Sequence, residues 1–245
     1  MFSPAVFRRA VLSAVLSSLL CLAGVAFAAP TLAAQAAAPQ PDNSIPFFGG
    51  VAKTPAQQEH DRQTVAEAIR RAGSKENAIA VVMQSGWTKV KSGDAETAIK
   101  YFNLAWLIEP NNPDVLWGFG AALNQQRKFE PALKLFELAR QQKPNEAGLL
   151  ADYAFAWISK GAIGDNDVAQ REASFAKALQ LLDESQKLNP RNPMVYGNRA
   201  MLRYFQARYL EAWREVAKAE ALTPGSVDPR FLRDLSARMP KPKDQ

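Results

Sequence analysis

Five residues recur at one fixed interval, and this recurrence decides what the chain can become. Gly86, Ala98, Phe102, Ala105 and Pro110 are followed 34 residues later by Gly120, Ala132, Phe136, Ala139 and Pro144. A unit this short has too few residues to enclose a core, so units of this kind stack in a row and bury their apolar faces on one another. Ala154 falls one further period on, but the next proline, Pro190, stands 46 residues after Pro144. An insertion of 12 residues after about Lys160 brings Ala178 and Leu182 back into line, and the last unit returns to 34 with Ala200, Ala212, Val216, Ala219 and Pro224. One insertion restores the register of everything downstream.

The pattern within a unit reads as two antiparallel helices. The Gly86, Gly120, Ala154, Ala200 series and the Ala98, Ala132, Ala178, Ala212 series put small side chains where paired helices cross. Phe102, Phe136, Leu182 and Val216 fill the space beside them. Lys91-Ser92-Gly93-Asp94 supplies a turn and a helix cap, and the prolines at 110, 144, 190 and 224 stop each second helix. Asn112-Pro113 and Asn192-Pro193 each pair an N-cap with a first-turn proline.

In these residues the chain resembles the tetratricopeptide repeat family, whose unit is a helix-turn-helix of this length and spacing. The resemblance covers units 79–112, 113–146, 147–192 with its insertion, and 193–226, the second matching best. The first has Val82 where the family often has Trp and Lys89 where it often has an aromatic, and the third has Ser185 where Ala is usual. The implied fold is all-α, a right-handed superhelical solenoid of antiparallel helix pairs with flanking capping helices. Thr54-Pro55-Ala56-Gln57 opens an N-terminal capping helix over 54–73, with Val65, Ala68, Ile69 and Ala72 on one face and Gly73 at its end. Asp228-Pro229 opens a C-terminal one over 228–238 that aligns Phe231, Leu232 and Leu235, and 239–245 is a solvated tail.

Ahead of the repeats, Arg8 and Arg9, the apolar run Ala10 to Phe27 and the small-x-small Ala26-Phe27-Ala28 read as a secretory signal peptide over 1–28. The run of 18 is also marginally long enough to anchor in a bilayer uncleaved. Cleavage takes both arginines and lowers the formal charge of +6 to about +4. It also removes Cys21, the chain's one cysteine, which suits the oxidising periplasm. Residues 29–53 are rich in Ala, Pro and Gln and form a flexible tail. Within it Ile45, Phe47 and Phe48 make an apolar docking segment, directed either at this chain's own helices, at a partner, or at the groove of the same or a second copy.

Catalytic chemistry finds little to work with. There is one His, His60, on the first capping helix, where it reads as a surface or packing residue. No phosphate-cradling loop, no HExxH and no Gly-x-Ser-x-Gly occurs. Asp165-Asn166-Asp167, near Glu172, offers carboxylates without the rest of a Ca²⁺-loop pattern and reads as a solvated loop with a helix cap. No cofactor and no metal are expected, and an envelope enzyme or metal protein is the remote alternative. Lys and Arg are scattered among acidic neighbours, which argues against nucleic acid.

The resemblance implies instead a protein or peptide partner, held by the first helix of each pair along a concave groove. Carried over by position, that lining is Met83, Trp87, Val90, Trp117, Ala121, Asn124, Phe155, Ile158, Met201 and Tyr204, an apolar and aromatic row rich in anchor residues. The family's carboxylate-binding row reads here Gln84, Gly118, Asp152 and Asn198, with no positive charge to hold a carboxylate. An extended or helical apolar segment is the expected ligand.

Overall fold

The computed structural model describes residues 39–165 and 167–243. The expected signal peptide, the first part of the tail and the last two residues lie outside that range. Among the described residues the chain folds into ten α-helices with no strand.

The first helix, α1 (Pro55–Ala72), begins as its sequence predicts. The Thr54 side chain accepts from the Gln57 N–H while the Gln57 side chain accepts from the Thr54 N–H, and Gly73 ends the helix at φ +82°. Four helix hairpins follow: α2 (Lys75–Ser92) with α3 (Ala95–Ile108), α4 (Pro113–Gln125) with α5 (Phe129–Gln142), α6 (Ala147–Ser159) with α7 (Val168–Leu188), and α8 (Pro193–Phe205) with α9 (Tyr209–Leu222). The last helix, α10 (Pro229–Arg238), is capped by Asp228. Helix α2 starts four residues before the expected edge at 79 because Ser74 caps it through the Asn77 N–H.

The small-residue series acts through one ring per hairpin. A Cβ built on Gly86 would stand 2.3 Å from Phe102, and one on Gly118 would stand 2.6 Å from the same ring. Phe102 is thus clamped between the helix it pairs with and the first helix of the next unit, at no exposure. Gly120 faces Phe136 in the same way at 3.0 Å. Burying such a ring removes about 200 Å² of apolar surface from water, which is why the spacing repeats.

Each hairpin must reverse the chain in two or three residues, and a left-handed residue does it. Gly93 serves the first hairpin at φ +82°; Arg127 and Ala207 hold the same place in the second and fourth at φ +58° and +57°. The third hairpin departs from this. Its insertion becomes a π-helical turn over Lys160–Gly164 that continues α6, followed by an α7 of 21 residues where α3, α5 and α9 have 14. Gly161 admits the Phe175 ring, since a Cβ there would lie 2.7 Å away. Asp167 caps α7 through the Gln170 N–H, as expected. Asp165 does not sit in a solvated loop: it is buried, and its carboxylate accepts from Ser174 Oγ at 2.6 Å and from Lys160 Nζ at 2.5 Å. Burial opposes its ionisation, and those two donors outweigh burial and hold its pKa below the usual value.

Ser185, the apparent exception in the third unit, is fully buried and donates to the Ala147 carbonyl oxygen at 2.7 Å. The hydroxyl costs little in stability because it has found an acceptor.

Candidate functional site

Successive first helices are tied together by a ladder of hydrogen bonds spaced by one unit plus one residue. Gln125 Nε2 donates to the Val90 carbonyl, Trp117 Nε1 to Asp152 Oδ2 and Asn124 Nδ2 to Ser159 Oγ, each across 35 residues. Across the insertion the same step is 47, from Asn198 Nδ2 to the Ala151 carbonyl. The first helices α2, α4, α6 and α8 therefore lie side by side, and the row expected to line a groove does follow them.

Within that row the residues differ sharply. Trp87 and Trp117 are partly exposed and meet edge to face, with ring centroids 5.3 Å apart and planes at 70°. Val90, Ala121, Phe155 and Met201 are also partly exposed. Met83 is 9% exposed at the edge of the N-terminal core. Asn124 is buried and spends its amide on Ser159. Ile158 is a correction: with no exposure it belongs to the central core among Phe175 and Leu181, on the same buried side as Asn124 one repeat earlier. Tyr204 points toward the far end, packing on Tyr209 at 5.7 Å and Phe231 at 5.7 Å, where it seats α10.

Trp87 and Trp117 border an open cleft of about 360 Å³ between α2 and α4. Ile79, Ala80 and Met83 form its apolar side; Asn112, Asp114, Lys143 and Glu146 form its polar side. Lys143 is already ion-paired with Asp114 at 2.7 Å. Behind Trp117 stands Asp152, partly buried, whose pKa burial pushes up to about 6 against the pull of the Trp117 N–H. Gly148 on α6 lets the Trp117 ring lie close, a Cβ there being 3.0 Å from it. The sequence marks Asp152 only as a member of a row lacking positive charge, and no spacing signal identifies it as the acceptor of Trp117.

Two other members of that row are likewise in structural use, Gly118 receiving Phe102 and Asn198 donating to the Ala151 carbonyl, whereas Gln84 is exposed.

The docking segment lies elsewhere. Residues Pro46–Gly50 form a short turn in which Phe47, Phe48, Gly49 and Gly50 all have positive φ. Phe47 packs edge-on against Trp106 of α3 at 5.6 Å and Phe119 of α4 at 4.8 Å, and Phe48 is buried beside Trp106. Asn103, fully buried, directs its Nδ2 at the Asn43 and Ile45 carbonyl oxygens at 3.1 and 2.9 Å. Ile45, also assigned to docking, is exposed by 42%. The segment is thus seated on the second helix of the first pair and does not fill the first-helix cleft of its own chain, whose lining holds none of its residues. Two phenylalanines in left-handed backbone cost about 1–2 kcal/mol each, and burial of their rings on α3 and α4 offsets that.

A second and larger cleft of about 650 Å³ separates this segment and α1 from α3, walled by Phe48, Tyr101, Leu104 and Leu107 and rimmed by His60. Its charges are matched: Lys53 pairs with Asp61 and stands over the Phe48 ring, and Lys100 pairs with Glu96.

Comparison with known proteins agrees with the architecture. The tetratricopeptide repeat family model matches residues 89–151. A thermophilic TPR protein of Thermus thermophilus superimposes with a TM-score of 0.59 at 18% identity, covering 66% of this chain and 84% of its own. MamA, residues 41 to the end, from Desulfovibrio magneticus RS-1 aligns at 16% identity with a TM-score of 0.44, over 69% of this chain and 97% of its own. No curated protein matches the sequence.

Proposed function

We propose that this tetratricopeptide repeat protein is a non-catalytic scaffold of the cell envelope that holds a segment of a partner protein along its first helices. One observation carries the reading: Trp87 and Trp117, brought together from neighbouring units of the repeat, pack one side against the core and leave the other bordering an open cleft. Large aromatic side chains left partly in water at a concave surface are what partner binding uses, since each can bury much area at small entropic cost. The ladder behind them holds the cleft rigid, so little ordering is needed on binding.

The envelope assignment rests on the leader over residues 1–28, whose removal would carry away Cys21 and deliver a thiol-free chain to the periplasm. Cell fractionation with N-terminal sequencing of the isolated protein tests this; an intact Met1 in the cytoplasmic fraction refutes it.

For the scaffold itself, crosslinking in the envelope fraction is compared between the native chain, Trp87→Ala and Trp117→Ala. Loss of the crosslinked partner with helical circular dichroism and melting temperature retained is the expected result. Equal capture by all three removes the cleft as the binding site, and melting of the variants reassigns the rings to the core.

A further inference from the structure

Charge is spread unevenly along the chain. Residues 29–198 carry 18 lysines and arginines against 18 aspartates and glutamates, whereas residues 199–245 carry 10 against 6. The whole excess beyond the leader therefore belongs to the last hairpin, α10 and the C-terminal tail, and the scatter of charges read from the sequence holds only ahead of them. Most carboxylates at this end are already engaged. Glu211 takes Arg208 at 2.6 Å with Arg203 at 3.5 Å, Glu215 takes Lys218 at 2.8 Å, and Asp228 caps α10 and takes Arg230 at 2.8 Å. Glu220 spends its oxygens on the Gly225 and Val227 N–H groups. Among the described residues, Arg214, Arg233, Arg238, Lys241 and Lys243 then have no carboxylate within ion-pairing distance, and all five are exposed. Asp234 is exposed and unpaired as well.

Apolar groups reach the surface at the same end. Phe205 closes α8 and Leu210 lies in the first turn of α9, on either side of the tight turn Gln206-Ala207-Arg208, and they are 43% and 40% exposed. Tyr204 packs on Phe205 at 5.4 Å and joins it to Tyr209 and Phe231, while Arg238 of α10 lies beside the Tyr204 hydroxyl. Arg214 stands one turn beyond Leu210 on the same face of α9. A hairpin turn projects from a helix stack, so these apolar tips stand at a protruding edge. Apolar tips set between tyrosines and ringed by cations match the layers of a bilayer surface: acyl chains take the tips, tyrosine rings lie at headgroup level, and cations reach anionic phosphates. An acidic protein would satisfy the cations without giving Phe205 and Leu210 a use.

We propose that this end of the molecule, the α8–α9 turn together with α10, docks on an anionic phospholipid bilayer, with Phe205 and Leu210 dipping among the acyl chains and Arg214, Arg233, Arg238, Lys241 and Lys243 held at the lipid phosphates. The Trp87 and Trp117 cleft belongs to the first two repeat units, so it stays free while the fourth rests on the membrane, and this inference stands or falls independently of the scaffold reading.

Sedimentation of the full chain with vesicles of phosphatidylcholine alone, or of an equal mixture with phosphatidylglycerol, tests the proposal. Tighter binding to the anionic vesicles is expected, and high salt should abolish the difference. Arg233→Gln, Lys241→Gln and Lys243→Gln combined should weaken anionic binding about a hundredfold, at about fivefold for each cation near the surface. Phe205→Ser should weaken it about tenfold, and melting temperatures check that both variants fold. Because an uncleaved leader would hold the chain on both kinds of vesicle, a local readout accompanies these: a nitroxide on Ala207→Cys, in a chain carrying Cys21→Ser, should become shielded from an aqueous nickel reagent on anionic vesicles. A label that stays in water on bound protein, or anionic binding equal in the native chain and the triple variant, overturns the proposal. Binding of polyglutamate as tight as that of the anionic vesicles and unaffected by Phe205→Ser also overturns it, and assigns this end to an acidic polypeptide.

Discussion

Substituting Asp152 by asparagine should make the protein more stable, and by an amount that depends on pH. Burial raises this carboxyl from an ordinary 3.8 to about 6 in the folded chain. Between those values the folded state binds the proton more firmly than the unfolded state does. Stability from this group is therefore complete below about pH 4 and is lost as pH rises through about 6. A difference of about two pKa units corresponds to about 3 kcal/mol. Because Asp152 is only partly withdrawn from water, solvent reduces this to about 1–2 kcal/mol. The asparagine side chain retains an oxygen for the Trp117 N–H and never ionises, so the variant should match the native chain near pH 4 and exceed it by that amount near pH 8. Urea unfolding followed by far-UV circular dichroism across that range gives the difference directly. Taking the difference cancels the carboxylates shifted the other way, such as Glu67, held down to about 2 by Arg70 and Arg71. A difference that does not change with pH, or a variant less stable at pH 8, refutes the reasoning.

Glycines at the helix crossings separate packing from propensity. Gly86→Ala drives a Cβ to 2.3 Å from Phe102 and should cost about 2–3 kcal/mol, whereas Gly197→Ala in α8 meets nothing within 4 Å and should gain about 0.5–1 kcal/mol; thermal melts that rank the two alike contradict the clamp on Phe102. Arg127→Gly and Ala207→Gly, at left-handed turn positions of φ +58° and +57°, should each stabilise by about 0.5–1 kcal/mol, read as a higher urea midpoint with an unchanged slope. Asn103→Ala removes the donor that holds Asn43 and Ile45. Limited proteolysis should then cut within 39–53 faster than in the native chain while α1 to α10 stay resistant; an unchanged cutting rate means the phenylalanines alone seat the segment.

The part of this molecule legible in its sequence is the part fixed by short-range chemistry repeated several times. Thr54-Pro55, Asn112-Pro113 and Asn192-Pro193 start α1, α4 and α8, and the 34-residue interval finds the Phe102 and Phe136 positions because a ring needs a small partner at each crossing. Ile158 escapes the pattern: it shares its repeat position with Asn124, and both are buried, so this position near the end of a first helix falls on the core side of the expected groove row. Asp165 escapes it too, because a carboxylate in a polar loop looks solvated until a lysine and a serine from separate elements converge on it. The pairing of Trp117 with Asp152 crosses 35 residues and has no local signature; only the stacking of α4 on α6 creates it. The docking segment announces its apolar character, but its seat on Trp106 and Phe119 depends on long-range packing.

The insertion in the third unit shows which rows the stack requires. Its 12 extra residues enter after Ser159 and are taken up by the π-helical turn and the longer α7, both within one hairpin. The step from one first helix to the next is untouched: Asn198 reaches the Ala151 carbonyl across 47 residues just as Trp117 reaches Asp152 across 35, each one residue more than its unit. Second helices can therefore lengthen without cost to the stack, because their outer ends face solvent, as the exposed Val168 at the start of α7 does. A first helix has no such freedom, since every residue added to it would shift the donor of the ladder off its acceptor. The surface that the ladder holds in register is the one bearing Trp87 and Trp117, so the constraint that fixes the stack also fixes the geometry of the cleft. Lengthening α7 by one further turn should consequently leave peptide binding unchanged, and inserting a single alanine between Gly118 and Phe119 should abolish it while most of the helical signal remains.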